Sequence, residues 1–317
     1  MALSNRELLA MVNKMDTSTL AAGGLLAPEQ AKQFIKQVFD ELPFSKLHRK
    51  EIVSAPTGEI PSIGIGRRII RLATEAVDDN YRAEVSSGKL TYATKKVRLP
   101  WELTEDLLRR NIEGEAFEQT VVNLMTAQLG QDLEDLHFNG DESQVDDPFL
   151  RINDGWIKQL VSANQHVIDH TADIGNKFGK KTFFKMLAAL PNKYRFQVRW
   201  LVSPTRKLLW QEYLTARATS AGDLALLGQG DQTNSPLGFP FVEVPSMPDN
   251  VMILTRPENF VSVTSWEIRV RKTTEGVTAI MQDKRFYVVF LDDDAIIERP
   301  DAAVLCVNVP TSFGDLS

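Results

Sequence analysis

Cysteine is almost absent. The chain of 317 residues holds one, Cys306, so no internal disulfide framework can brace it, and folding in a reducing compartment fits that usage. Cys306 sits in the apolar stretch 302–309, where a small buried strand residue is expected. Long hydrophobic runs are missing too: residues 288–291 are far too few to cross a bilayer, and the N-terminal Met1-Ala-Leu-Ser-Asn-Arg-Glu lacks the apolar core of a signal peptide. A soluble chain with no visible export signal is expected. Charge of one sign does not dominate, with 36 Lys and Arg against 42 Asp and Glu, net −6. That balance gives no reason to expect tight binding to nucleic acid, which needs a dense basic surface. It is compatible with a protein that encloses nucleic acid without gripping it.

Short catalytic motifs are equally scarce. Around Gly88-Lys89, Ala83 and Leu90 replace residues that a phosphate loop requires. Gly64-Ile-Gly66 lacks the third glycine of a dinucleotide fingerprint. There is no Gly-x-Ser-x-Gly elbow, and Cys306 has no activating neighbours. Two clusters could hold a metal. His166 and His170 are four residues apart with Asp169 and Asp173 nearby, but Val167-Ile168 favours a strand and loop, and a surface position is the plainer reading. Asp292, Asp293 and Asp294 fall between two strand candidates, where a solvated turn is expected.

What is present is a long and ordinary globular composition, 43% hydrophobic and 25% charged, enough for one large or two medium domains. Residues 1–45 read as an arm, with a helix over 5–15, a small-residue linker at 21–28 and a second helix over 29–42. Residues 46–100 read as a long two-stranded hairpin with a polar tip at 74–89, whose isoleucines need cover from outside the segment. A short helical piece over 103–111 precedes a helix over 115–138, about 36 Å long. Its apolar stripe is Phe117, Val121, Leu124, Met125, Leu129, Leu133 and Leu136. Asn139-Gly140-Asp141 ends it, suiting a left-handed cap. The remainder alternates: a helix over 180–190, a strand over 196–202, a helix opened by Ser203-Pro204, and a glycine-rich stretch over 219–236. Strands follow over 239–244, 251–254, 260–272, 278–291, 295–298 and 303–309.

Arm and hairpin have no core of their own, so they lie on their own domain or on neighbours. Charge favours neighbours. Residues 46–100 carry eleven Lys and Arg against six acids, including Arg67, Arg68, Arg71, Lys89, Lys95 and Lys96. Residues 104–138 carry two Arg against eight acids, including Glu115, Glu118 and Asp132. A basic hairpin and an acidic helix invite contact between copies, with charge setting register more than affinity; two separately solvated faces are the plain alternative.

On these pieces the sequence resembles the major capsid proteins of tailed bacteriophages of the Hong Kong 97 type. Gly23-Gly-Leu-Leu-Ala-Pro28 is similar to the element opening that family's arm. Residues 46–100 resemble its extended loop and 115–138 its spine helix. Asp132-Leu-Glu-Asp-Leu-His-Phe-Asn-Gly-Asp141 is similar to the spine ending in Asn-Gly-Asp. Trp200-Leu-Val-Ser-Pro-Thr-Arg206 and Leu237-Gly-Phe-Pro-Phe-Val-Glu-Val-Pro245 resemble axial-domain segments, and 285–297 the return into the peripheral domain.

The resemblance implies an α+β capsid fold. Its parts are an arm (1–45), an extended hairpin loop (46–100), a spine helix with the first part of a peripheral domain (101–190), an axial domain (191–277) and return strands (278–317). It implies a homo-oligomer of hexamers and pentamers forming an icosahedral shell around double-stranded DNA, with a portal protein and no cofactor, assembled in the bacterial cytoplasm. The arm element near residue 23 leaves no room for the scaffolding region fused to some members, so a separate scaffolding protein, or none, is expected. Lys89 lies where some members form a crosslink, but no asparagine partner matches and none is expected here. The acidic run after Asn139-Gly140-Asp141 departs from the glycine-rich turn of many members. An encapsulin-like compartment shell and, remotely, a metal-dependent hydrolase using His166, His170 and Asp292 to Asp294 are the alternatives.

Overall fold

A computed structural model of the chain describes residues 44–64, 86–106, 116–215, 235–265 and 269–312. Residues 1–43 of the expected arm, residues 74–85 of the hairpin tip, most of the short helical piece and most of the glycine-rich stretch lie outside them; residues 86–89, expected in the tip, are strand. In chain order the elements are β1 (Arg49–Val53), β2 (Thr57–Gly64), β3 (Ser86–Ala93), β4 (Lys95–Thr104), α1 (Ala116–Asn139), α2 (Trp156–Ala163), β5 (Val167–Asp169), α3 (His170–Asp173), α4 (Lys180–Ala189), β6 (Arg199–Val202), α5 (Pro204–Thr215), β7 (Phe241–Glu243), β8 (Met252–Thr255), β9 (Phe260–Ser265), β10 (Arg269–Thr273), α6 (Val277–Gln282), β11 (Lys284–Ile297) and β12 (Val304–Val307).

The first sheet is organised by β11. One edge pairs antiparallel with β4 over ten residues, from Lys284 opposite Thr104 to Asp293 opposite Lys95. The other edge takes β10 along Phe286 to Phe290 and β9 along Asp293 to Ile297. Parallel β1 then closes on β9. β2 and β3 form a separate two-stranded ladder of eight pairs.

The second sheet runs β5-β12-β8-β6-β7. All four residues of β8 are buried, as expected of a central strand covered on both faces. Side chains alternate between those faces. Leu201, Ile253 and Leu305 point into a core shared with Phe44, Phe138, Trp156 and Phe260. Trp200, Val202, Met252, Leu254, Val304 and Cys306 face the opposite way, under α4 and α5, against Phe183, Met186, Trp210 and Tyr213.

Local chemistry explains several boundaries. The Ser203 hydroxyl accepts the amide N–H of Arg206 at 3.2 Å, capping α5 while Pro204 occupies its first position. Arg206 is 1% exposed; it donates to the carbonyls of Pro310 at 2.6 Å, Val309 at 3.0 Å and Asp249 at 3.0 Å, and lies over the Phe178 ring. One guanidinium thereby holds the C-terminal segment onto α5.

α1 follows the expected stripe at Val121, Leu129, Leu133 and Leu136, all buried. Two positions differ. Leu124 is 63% exposed, and Phe138, outside the stripe, is fully buried. Phe138 sits edge-on to Phe44 and Trp156, and Trp156 stacks on Phe260 at 4.9 Å. The end of α1 is thus anchored by aromatic packing to α2 and β9. The side chain of Phe117 lies outside the described residues.

Four other expectations are corrected. Among the described residues, the expected 46–100 hairpin is reduced to β2 and β3, because β1 and β4 find partners in the first sheet. Leu103 belongs to β4, where it packs with Val121 and Tyr287, rather than opening a helix. Residues 277–282, β-branched enough to suggest a strand, form α6 between Gly276 at φ 119° and the left-handed Asp283. Asp292, Asp293 and Asp294 are continuous strand within β11, so the stretches 278–291 and 295–298 are not separated by a turn. The second sheet also draws β5 and β12 from outside residues 191–277.

Candidate assembly surfaces

The base of the hairpin rests on its own subunit. Ile60, Leu90 and Tyr92 pack against Val261, Val263 and Ile296 of the first sheet, so part of the cover expected from outside is supplied within the chain. The Ala93 amide donates to Asp294 Oδ2 at 2.9 Å, and the Thr94 amide to the Pro56 carbonyl at 2.8 Å. Lys89 makes an exposed ion pair with Glu59 at 2.6 Å and Lys95 one with Glu142 at 2.7 Å. Lys96 lies 5.0 Å from the centroid of the Phe290 ring. These three lysines therefore have partners in their own chain, in exposed contacts worth about 0–1 kcal/mol that a neighbour can replace. Arg67, Arg68, Arg71 and Glu115 lie outside the described residues, as does the side chain of Glu118. Asp132 accepts from Gln128 Nε2, one helical turn away, at 2.6 Å.

The turn Asn139-Gly140-Asp141 is a tight structural joint. Asn139 Nδ2 donates to Asp135 Oδ1 and to the Ser246 carbonyl, both at 2.6 Å. Gly140 does not take the expected left-handed conformation, since it is not among the positive-φ residues. Glycine is required there for space: a Cβ would stand 2.4 Å from the Asn153 carbonyl oxygen and 2.6 Å from that of Leu136. Asp141 accepts from the Ser143 amide and hydroxyl, which hold its carboxyl below the usual range, and it pairs with Lys158 at 3.1 Å.

Beneath this turn lies a buried polar joint that sequence reasoning missed. His137 Nε2 and Asp293 Oδ2 are 2.6 Å apart, and Thr264 Oγ1 donates to Asp293 Oδ1 at 3.1 Å. His137 and Asp293 are 1% and 0% exposed. The joint ties α1 to β11 and β9. Nearby, His48 Nε2 meets Ser262 Oγ at 2.9 Å, and burial, then the proximity of His137 and Lys50, lowers its pKa to about 3. Glu134 is buried on the same helix, and desolvation raises its carboxyl to about 7.

Neither metal candidate survives the geometry. His170 is buried, not at the surface, and both ring nitrogens are engaged, Nδ1 with the Gly175 carbonyl and Nε2 with Thr182 Oγ1, each at 2.8 Å. Asp293 is committed to His137 and Thr264, and Asp294 to the amides of Ala93 and Ala295. Among the described residues no group of three His, Cys, Asp or Glu could hold a metal ion. Burial pushes the Cys306 thiol up to about 12, leaving it inert.

Large apolar side chains reach solvent on several sides: Leu124, Val145 (80% exposed), Phe184, Phe196 (72%), Leu208 and α6, where Met281 is 81% exposed. Scattered singly these are ordinary, but three on six residues of α6 form a patch of the kind that a partner covers.

A two-stranded hairpin resting on one sheet, a long α1 and a second sheet clad by two helices make up a fold that solved phage capsid chains share. The chain matches a chain of the satellite phage P4 procapsid including size determination (Sid) protein at TM-score 0.69 and 17% identity, over 99% of this chain and 100% of that one. It matches a chain of the capsid of the native GTA particle at TM-score 0.57 and 12% identity, over 84% and 90%. A Mycobacterium phage Adephagia chain matches at 0.54 and 13% identity, over 98% of each. In sequence, the chain is 28% identical over 319 residues to the "Putative prophage capsid protein YqbE" of Bacillus subtilis (strain 168), covering 94% of this chain and 98% of that protein. No protein-family model matches the chain.

Proposed function

We propose that the chain is the structural major capsid protein of a tailed bacteriophage or prophage, of the Hong Kong 97 type, building an icosahedral shell from hexamers and pentamers of itself. The observation that carries this reading is the phage capsid fold along 99% of the chain, supported by the relative named as a prophage capsid protein. The described residues carry exposed apolar groups suited to mutual burial. The shell encloses double-stranded DNA without sequence-specific binding, consistent with a net charge of −6 that does not grip phosphate. Separate scaffolding and portal proteins act with it during assembly in the host cytoplasm.

Within the shell, the hairpin of one subunit crosses to the acidic α1 of a neighbour. Arg67, Arg68, Arg71, Lys89, Lys95 and Lys96 then face Glu115, Glu118 and Asp132, and charge fixes the register. Electron microscopy of the chain, expressed with and without its scaffold, tests the reading. Rings or closed shells of uniform size are expected, and a strict monomer under every condition refutes it. Reversing Arg67, Arg68 and Arg71 to Glu weakens assembly more than folding. Unchanged assembly with a collapsed melting temperature means that the hairpin belongs to its own subunit.

A further inference from the structure

Charge is segregated along this chain more sharply than the hairpin and spine alone show. Residues 111–150 contain ten Asp and Glu and no Lys or Arg, and residues 177–207 contain nine Lys and Arg and no Asp or Glu. Among the described residues, parts of both stretches reach the surface. The acidic one ends in a loop, 141–149, in which Val145 is 80% exposed between the exposed Glu142 and Asp146. The basic one includes α4, whose solvent side carries Lys181, Phe184 (59% exposed) and Lys185. Arg195 donates to the carbonyls of Leu190 and Ala188 at the end of α4 and so sets the adjoining turn, which displays Phe196. One surface is an apolar knob beside carboxylates; the other carries exposed aromatic rings with Lys180 and Lys181, while Lys185 pairs with Asp173 of its own chain at 3.6 Å.

Lys180 and Lys181 are placed against local stability. They occupy the first turn of α4, where the helix dipole favours acids, and Gly179 before them provides no side-chain cap. A sequence that breaks a local rule on an exposed helix face has its compensation elsewhere. The loop does not supply it within one subunit, since Asp141 and Glu142 pair with Lys158 and Lys95.

We infer that the solvent face of α4, with the turn at Phe196, is a docking surface for the acidic loop 141–149 of a second copy of this chain. The inference rests on the capsid reading and adds to it a contact separate from that of the hairpin. A second copy fits better than a nucleic-acid duplex, because a phosphate backbone covers neither Phe184 nor Phe196, whereas the loop brings Val145 together with its carboxylates. The head-to-tail pairing of two different surfaces is the heterologous geometry that closes rings.

Two double variants of the full-length chain and their combination test this: K180E/K181E, E142K/D146K, and all four together. Each double is expected to slow particle formation by about tenfold in light scattering, with the melting temperature of the unassembled K180E/K181E chain unchanged or raised. The combined variant restores most of the lost rate, because the charges are exchanged. Doubles that assemble like the parent, or a combination no better than either double, overturn the inference. Loss of heparin retention by K180E/K181E with assembly intact assigns the face to a polyanion and also overturns it. A parent chain that never assembles is a different result, refuting the capsid reading and this contact with it.

Discussion

Glu134 offers a quantitative test of how α1 is seated. Its carboxyl is 4% exposed; Oε1 accepts weakly from Ser246 Oγ at 3.4 Å, and Oε2 meets no hydrogen-bond partner among the described residues. Desolvation raises its pKa from 4.5 to about 7, partly opposed by the Ser246 hydroxyl and the nearby His137. A raised folded-state pKa means that the native chain holds the proton more tightly than the unfolded chain. The stability linked to this group is therefore complete below about pH 4.5 and declines as pH rises to about 7. The span between the two values corresponds to about 3 kcal/mol. Glu134→Gln keeps the shape and an acceptor while removing the ionisation, so it stabilises the chain by up to about 3 kcal/mol at pH 8 and changes little at pH 4. Urea unfolding of the unassembled subunit at both pH values measures the difference directly. Equal stability of variant and parent at pH 8, or a gain of the same size at pH 4, refutes the argument that burial of the charge sets this cost.

Two further substitutions probe the joint beneath the turn. Asp293→Ala strips the acceptor from both His137 and Thr264 and should cost about 3 kcal/mol or more in urea unfolding, while Asp293→Asn, which retains an acceptor, costs less. Gly140→Ala forces a methyl group onto two carbonyl oxygens and should cost about 2–4 kcal/mol, with loss of ordered packing between α1 and α2 visible in near-ultraviolet circular dichroism.

Elements whose signals are local were legible in the sequence. The apolar stripe announced α1, the Ser203-Pro204 pair opened α5 where expected, β7 and β8 fell within about two residues of their expected positions, and β6 ended where expected but began three residues late. Readings failed where a distant partner decides the outcome. Three consecutive aspartates look like a turn because carboxylates are costly in a buried strand; here Asp293 is stabilised by His137, 156 residues away. Residues 46–56 and 94–100 looked like hairpin because nothing local shows that β11, nearly two hundred residues later, pairs with β4. The stripe alone cannot reveal that Leu124 stays exposed, since helical spacing fixes a face and not what packs on it. The assembly candidates were legible as charge, but the partners of Lys89, Lys95 and Lys96 within their own chain depend on cross-strand geometry. The joint of His137 with Asp293 had no sequence signal: His137 stands between Leu136 and Phe138, and Asp293 is the middle of three aspartates 156 residues away.

The ten-pair ladder between β4 and β11 has a mechanical consequence. Thr94 alone separates β3 of the hairpin from β4, so tension on the hairpin passes along the axis of β4. Antiparallel ladder bonds lie perpendicular to the strands. Such a pull loads all ten pairs in shear at once, where a pull across the sheet would open them one at a time. From β11 the force divides between β9 and β10 on its far edge, and reaches α1 through Asp293 and His137. A subunit wired this way behaves as a tie-rod between the hairpin and the body, and it should yield at the hairpin's outer contacts before its own sheet gives way.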